Sequence, residues 1–519
     1  MFKILMLAVY FVVLLAIGFR CRSRANSVKG FVLGGRGVGA WLTAFAYGTS
    51  YFSAVVFVGY AGQFGWRYGI SATWAGIGNA VIGSLLAWCV LGRRTRLMTQ
   101  HLDSSTMPEF FGRRFDSKPL KIVASAIIFV FLVPYTASLY NGLSRLFAMA
   151  FSIDYSVCIV LMSVLTAVYV ICGGYLATVI NDFIQGVIML VGLVAVIWAV
   201  LATKGGFAAA MDALARVTDP GVSETPGVFA SFFGPDPLNL LFVVVLTSLG
   251  TWGLPQMVQK FYAITNEDAI RKGTVISTLF AFVVAGGCYF LGGFGRLFAD
   301  KIGVVAKGGA AVPVGGFDSI IPAMLSGLGP GLIALTVILV LSASMSTLSS
   351  LVITSSSTLT SDFIKGTVVP RMSEKREVFV IRAFVVVFIA ISAVIALVQY
   401  KSSVTFIAQL MGISWGALAG SFLAPFLYAL YWKDTTKASC WVSFAFGSGL
   451  MIVDMVARDA LPPLLRSPIN SGVVAMVAGF AIVPLVSLVT KAPDRRFTDQ
   501  LFSCYDRTHP VPAKTALGQ

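Results

Sequence analysis

Hydroxyl side chains crowd one stretch of the sequence: Ser344, Ser346, Thr347, Ser349 and Ser350, then Thr354 to Ser357, all within an apolar run that begins near residue 329. At about 3.6 residues per turn, Ala343, Ser346, Thr347 and Ser350 fall on one face of a helix. A row of neutral oxygens beside a free carbonyl suits a hard cation such as Na⁺, which asks for several oxygen ligands. Intramembrane Ser and Thr also spend their hydroxyls on the preceding turn of their own helix, so the stripe alone defines a candidate. Two further stretches could complete it: Gly48-Thr49-Ser50-Tyr51-Phe52-Ser53 with Gly59 and Gly62, and Thr247-Ser248-Leu249-Gly250-Thr251-Trp252-Gly253-Leu254-Pro255. Gly and Pro interrupt the helical ladder and leave carbonyls that a cation can use, although they also allow helices to pack closely. One carboxylate stands out, Asp182, following Gly173-Gly174-Tyr175 and Asn181. It reads either as a countercharge for a buried cation or as the cap of a helix. Asp454 lies away from these stretches and reads as structural.

The elements that position these groups follow from composition. Of 519 residues 57% are hydrophobic and 12% charged, whereas an ordinary soluble domain carries about 25% charged residues. The chain therefore reads as an all-α membrane protein. Apolar runs at 2–19, 39–62, 69–92, 121–148, 155–175, 178–202, 238–262, 273–296, 329–358, 378–400, 403–431, 437–457 and 470–490 predict about 13 transmembrane helices. Lys3 before the first run suggests a signal peptide, but no small-residue cleavage site follows, and Arg20, Arg22 and Arg24 come next. The two Gly/Pro-broken stretches fall in spans 2 and 7, which open two successive sets of five. An odd set size inverts the second set relative to the first, the pattern of an inverted-repeat secondary transporter. The expected organisation is one polytopic domain: 1–38 an extra first helix and loop, 39–202 the first five-helix repeat, 238–431 the second, inverted repeat, and 432–519 the last two helices with a cytoplasmic tail. The outer segments 203–236 and 297–328 suit surface helices and gating loops.

With the N-terminus outside, the inner connections carry 27 of the 38 Lys and Arg, including Lys260 in the connection 260–272. The positive-inside rule thus favours an outer N-terminus and a cytoplasmic C-terminus in the cell membrane, and it accounts for the net charge of +16 without nucleic acid. The seven cysteines show no CxxC spacing, and His101 and His509 fall in polar connections, so neither a zinc site nor an intramembrane His relay is indicated. No nucleotide-binding motif or catalytic Ser/His/Asp set points to an enzyme. The partners expected are Na⁺, a small-molecule substrate and the lipid bilayer, with no obligate protein partner evident.

The chain resembles the sodium:solute symporter family, which has the leucine-transporter-like fold and whose members carry sugars, amino acids, vitamins, iodide or monocarboxylates. The resemblance rests on Phe52-Ser53-Ala54 to Gly59, Met107-Pro108-Glu109-Phe110-Phe111 with Arg113-Arg114-Phe115, Gly173-Gly174-Tyr175 to Asp182-Phe183-Ile184-Gln185-Gly186, Ser344-Met345-Ser346-Thr347-Leu348-Ser349, Asp362-Phe363-Ile364-Lys365 and Tyr431-Trp432-Lys433. It implies a main sodium site made by the carbonyls of Thr49, Phe52 and Ala343 with the hydroxyls of Ser346 and Thr347. Some members have a second, inner sodium position, which would match Asp182, Ser346, Ser349 and Ser350, giving one or two Na⁺ per cycle. Sugar carriers place amides and carboxylates on the first core helix, and the proline branch has an acidic residue where Tyr51 stands and a Trp where Val55 stands; this chain keeps neither pattern. Tyr51, Ser53, Val55, Val56, Trp74, Tyr140, Trp252 and Gln409 would then frame a mostly apolar substrate pocket. The expected function is Na⁺-coupled uptake of a small organic solute, an amino acid such as proline or a monocarboxylate, by alternating access. The alternatives are a proton-coupled carrier of the same fold and, in another class, a membrane sensor or channel.

The loop charges generate a first prediction: a cysteine-bearing tag placed after Lys491 reacts with an impermeant thiol reagent only once cells are permeabilised. Labelling in intact cells would overturn the orientation.

Overall fold

The computed structural model describes residues 2–151, 154–307, 309–402 and 407–506. Among them, ten helices are long and apolar enough to cross a membrane, or eleven when the pair Pro237–Gly253 and Pro255–Ala263, bent by 46°, is taken as one span. Thirteen runs were expected, and the difference lies in two helical stretches of 47 residues, Val55–His101 and Ser156–Ala202. At about 1.5 Å per residue each would reach roughly 70 Å, more than twice a hydrocarbon core of about 30 Å. Each contains a glycine in the left-handed region, Gly69 (φ +63°) and Gly174 (φ +57°), where any other residue would be strained. Gly174 kinks its helix, and at Gly69 a Cβ would also run into the Phe229 carbonyl.

Both expected breaks are present, with nearly the same geometry. Helix Ala40–Tyr51 stops at an extended Phe52 (φ −87°, ψ 122°), and helical structure resumes at Val55. In the other span Leu254 is extended (φ −82°, ψ 121°), and Pro255 opens the helix Pro255–Ala263. A proline is well placed there, because the first helical residue has no N–H to satisfy. Close helix crossing does the rest of the positioning: a Cβ at Gly65 would run into the Gly292 carbonyl, so residues 61–68 lie directly against helix Glu267–Gly292.

Helix Pro330–Ser357, which carries the hydroxyl cluster, is the centre of the bundle. It is buried at every residue from Thr336 to Ser357 and packs against Tyr155–Ala202, Lys118–Phe151, Glu374–Ser402 and Ala40–Tyr51. A helix buried on all faces belongs to an interior rather than to a lipid-facing wall.

The expected outer segments contain the short helix Phe207–Ala215 and, against an all-helical expectation, an antiparallel strand pair, Val304–Lys307 with Ala310–Pro313. Arg296, expected inside the eighth span, lies beyond its end at Gly292. Its guanidinium pairs with Asp219 at 2.8 Å, donates to the Trp66 carbonyl at 2.7 Å and lies 3.8 Å over the Phe229 ring. Asp219 also accepts the Ala311 N–H at 3.2 Å. This buried pair ties both outer segments to the end of the first broken span.

Removing one partner of a buried pair strands the other charge, at a cost of about 3–5 kcal/mol. Asp219→Ala should lower the unfolding temperature in detergent and expose the segment 203–236 to limited proteolysis. Wild-type melting and cleavage would show that the clamp carries no stability.

Candidate functional site

The last turn of a helix has carbonyls without intrahelical donors. In Ala40–Tyr51 those carbonyls point at Thr347: its hydroxyl oxygen lies 3.2 Å from the Thr49 carbonyl, 3.1 Å from that of Phe52 and 3.1 Å from that of Ala343 in its own helix. One O–H proton serves one acceptor, so lone pairs of the remaining oxygens converge without a proton between them. Oxygen separations of this size fit one coordination shell of a cation whose ligands stand at about 2.3–2.6 Å, the range found for Ca²⁺. Ser346 adds a further oxygen at the same level by donating to Thr49 Oγ1 at 2.7 Å, and Thr49 Oγ1 donates to the Phe45 carbonyl at 2.9 Å. All five residues expected at the main cation site therefore meet, every one of them buried.

The other side of the break is held by side chains. Ser344 Oγ accepts the Ala54 N–H at 3.2 Å, and Ser53 Oγ accepts the Val55 N–H at 3.2 Å, so Ser53 caps the second half of its own span.

Of the residues expected at an inner cation position, Ser346 lies beside Asp182, and Ser350 is linked to it through a partner that sequence reasoning placed elsewhere, Lys260. Asp182 lies eight residues beyond the Gly174 kink, well inside its helix, which removes the helix-cap reading. Its carboxylate is fully buried, with Ser346 beside it and Lys260 Nζ at 3.9 Å. Lys260 Nζ donates to Ser350 Oγ at 3.0 Å and lies 5.1 Å over the Tyr175 ring. Lys260 is 1% exposed, so counting it as a solvated loop charge is corrected, leaving 26 of the 38 Lys and Arg on the inner side. A lysine at the end of an apolar run is indistinguishable by sequence from a loop cation; the one available signal was its place, one turn beyond the Gly/Pro break. Ser349 spends its hydroxyl on the Ser346 carbonyl at 2.9 Å, as intramembrane serines commonly do.

The expected substrate residues are only partly brought together. Ser53, Val55 and Val56 lie buried at the first break. Trp252, in the turn before the second break, donates its indole N–H to the Ile82 carbonyl at 2.9 Å. Trp74 is engaged away from the breaks, donating to the Phe232 carbonyl at 3.0 Å and meeting that ring edge-on. Tyr140 is buried facing Ser163 and Thr166 on the neighbouring helix, and Gln409 is half-buried near the start of Ile407–Tyr431. The side chain of Tyr51 lies outside the described residues. Sequence reasoning missed Tyr135 and Trp415. Their rings meet edge-on with centroids 6.0 Å apart; Tyr135 lies beside Ser53, and a Cβ at Gly250 would touch the Trp415 ring at 3.6 Å. The pair bridges the two breaks, and neither polar tip closes a hydrogen bond of ordinary geometry. Both residues lie in apolar runs, where an aromatic is usually a packing residue.

An apolar helical bundle with two unwound spans, one of them closed over an oxygen cradle, is an arrangement that suits a membrane transporter. The chain belongs to the sodium:solute symporter family, whose profile matches residues 31–447. It is 28% identical over 493 residues to the osmoregulated proline transporter OpuE of Bacillus subtilis (strain 168), covering 94% of this chain and 95% of that one. It is 29% identical over 507 residues to a sodium/proline symporter of Staphylococcus aureus, covering 94% and 93%. Its fold matches that of a Na⁺-coupled sialic acid symporter in a substrate-bound outward-open state, with a TM-score of 0.74, 15% identity, and coverage of 95% and 99%.

The cradle predicts that Thr347→Ala raises the Na⁺ concentration for half-maximal uptake. Losing one oxygen on a charged ligand costs about 1.5–3 kcal/mol, or roughly 10- to 100-fold in affinity. Thr347→Ser should stay near wild type. Unchanged sodium dependence in Thr347→Ala at equal expression would remove this residue from the site.

Proposed function

We propose that the protein is a Na⁺-coupled symporter of the cell membrane that imports a small organic solute, an amino acid of the proline kind or a monocarboxylate, by alternating access. The observation that carries this reading is the convergence of the Thr49, Phe52 and Ala343 carbonyls on the Thr347 hydroxyl, with Ser346 alongside. One Na⁺ bound there ties the broken second span to helix Pro330–Ser357. It favours the conformation in which the break is ordered and so raises solute affinity, with the reciprocal effect required by linkage.

The solute sits between the two breaks, against Ser53, Val55, Tyr135 and Trp415. Apolar walls with a few polar tips favour a compact, partly apolar molecule over a sugar. Its carboxylate is held by the positive N-terminal ends of the helices that restart at Val55 and Pro255. The relatives named for proline support an amino acid of this kind.

Dividing the two 47-residue stretches at Gly69 and Gly174, and counting the bent pair once, gives 13 spans, which supports the five-plus-five inverted repeat. With the corrected loop charges the N-terminus is outside and the C-terminus cytoplasmic.

Uptake of labelled proline, other amino acids and monocarboxylates into proteoliposomes with imposed Na⁺ or H⁺ gradients tests the reading. An inward Na⁺ gradient should drive accumulation of one of these solutes. Full accumulation on an H⁺ gradient in sodium-free buffer would establish the proton-coupled carrier instead.

A further inference from the structure

The Asp182 carboxylate lies in the bundle interior, where an uncompensated charge is costly, and the one cation within 4 Å of it among the described residues is Lys260 Nζ. That nitrogen stands among the groups of the inner position: it donates to Ser350 and faces Asp182, which in turn has Ser346 beside it. An ammonium and a sodium ion carry the same charge and both take carboxylate and hydroxyl oxygens, so the two compete for one place. The difference is tethering. The ammonium belongs to helix Pro255–Ala263, the half-span that restarts after the second break, so it stands at the position without having to arrive from solution.

We infer that Lys260 is a built-in cation that fills the inner position, so that this chain binds and moves one Na⁺ per cycle, the ion at Thr347. The inference rests on the sodium-symport reading and specifies its stoichiometry. Lys260 also donates to Ser350, whose Oγ lies 3.1 Å from Ser50 Oγ in the first broken span. The tethered charge thus joins both broken spans to helix Pro330–Ser357 at a point where a mobile ion would otherwise have to arrive and leave.

Equilibrium ²²Na⁺ binding to the purified full-length protein in lipid nanodiscs, calibrated to sites per chain, tests this with Na⁺ itself as the probe. The wild type should bind one equivalent. Lys260→Met, and Lys260→Gln as a polar variant that retains a hydrogen bond to Ser350, should bind two, a twofold gain that destabilisation alone does not produce. Adding Asp182→Asn to Lys260→Gln should return the count to one. Two equivalents in the wild type overturn the inference whether or not any variant folds. One equivalent in a folded Lys260 variant, or a second ion that persists without the Asp182 charge, overturns it as well. No saturable binding in the wild type defeats the sodium-symport reading itself, a failure distinct from these.

Discussion

The structure turns on a rule of the lipid interior: a backbone carbonyl that leaves its own helix must find another partner, because no water is there to answer it. The break at Phe52 releases carbonyls in the middle of an apolar span, and among the described residues the side chain that meets those of Thr49 and Phe52 is the hydroxyl of Thr347, which also faces the Ala343 carbonyl. Ala343 sits mid-helix, where its carbonyl also takes the Thr347 backbone N–H, so the deficit falls on the two released carbonyls, which one hydroxyl proton cannot both serve. A cation at the proposed site would remove that deficit without a proton, and the unwound segment would then be better satisfied with the ion than without it. The second break lacks this arrangement. Its released segment starts again at Pro255, whose missing N–H lowers the demand for partners, and the residues that follow lie against helix Pro330–Ser357 through Thr354, which donates to Gln259 Oε1 at 2.8 Å.

The burial of the central helix follows from the same demand. Its serines and threonines would be poor choices for a lipid-facing surface, and every one from Thr336 to Ser357 is covered. Some bond back to their own helix, as Ser349 does to Ser346. Others reach outward, and these define the site: Ser344 to Ala54, Ser346 to Thr49, Thr347 to Phe52, and Ser350 to Ser50 and Lys260. The covering helices are placed by close approaches such as Gly65 on Gly292, and the outer segments are clamped by Asp219 and Arg296.

The parts of this arrangement that the sequence made legible are those with a strong local signature. Gly48 to Gly62 and Gly250 to Pro255 mark the breaks because Gly and Pro change the backbone wherever they stand, and the dense hydroxyls marked the central helix. The resemblance supplied the carbonyl ligands, which no side chain announces. What stayed hidden depends on tertiary contacts. Asp182 left a countercharge and a helix cap both open, and only the folded chain, with its kink at Gly174 eight residues upstream, shows the carboxylate buried inside a helix. Lys260 looked like a loop charge because its counter-ion is 78 residues away in the sequence. Tyr135 and Trp415 were indistinguishable from packing aromatics, and the strand pair 304–313 follows from a local pairing too short to read in a moderately apolar segment.

Ser346 and Ser350 lie one turn apart on the same helix, and the contacts of this short stretch reach both broken spans. Ser346 and Thr347 face the first break, while Ser350 links Ser50 of that span to Lys260 of the other. A displacement of Pro255–Ala263 away from the central helix cannot leave the first break unaffected, because Ser350 would lose a donor on one side while still facing Ser50 on the other. Conversely, an ion that draws the Thr49 and Phe52 carbonyls toward Thr347 fixes the register in which Ser50 meets Ser350. Coupling between the two breaks in the proposed cycle would therefore need no long pathway, because the contacts that join them lie within about one turn of a helix buried on every side.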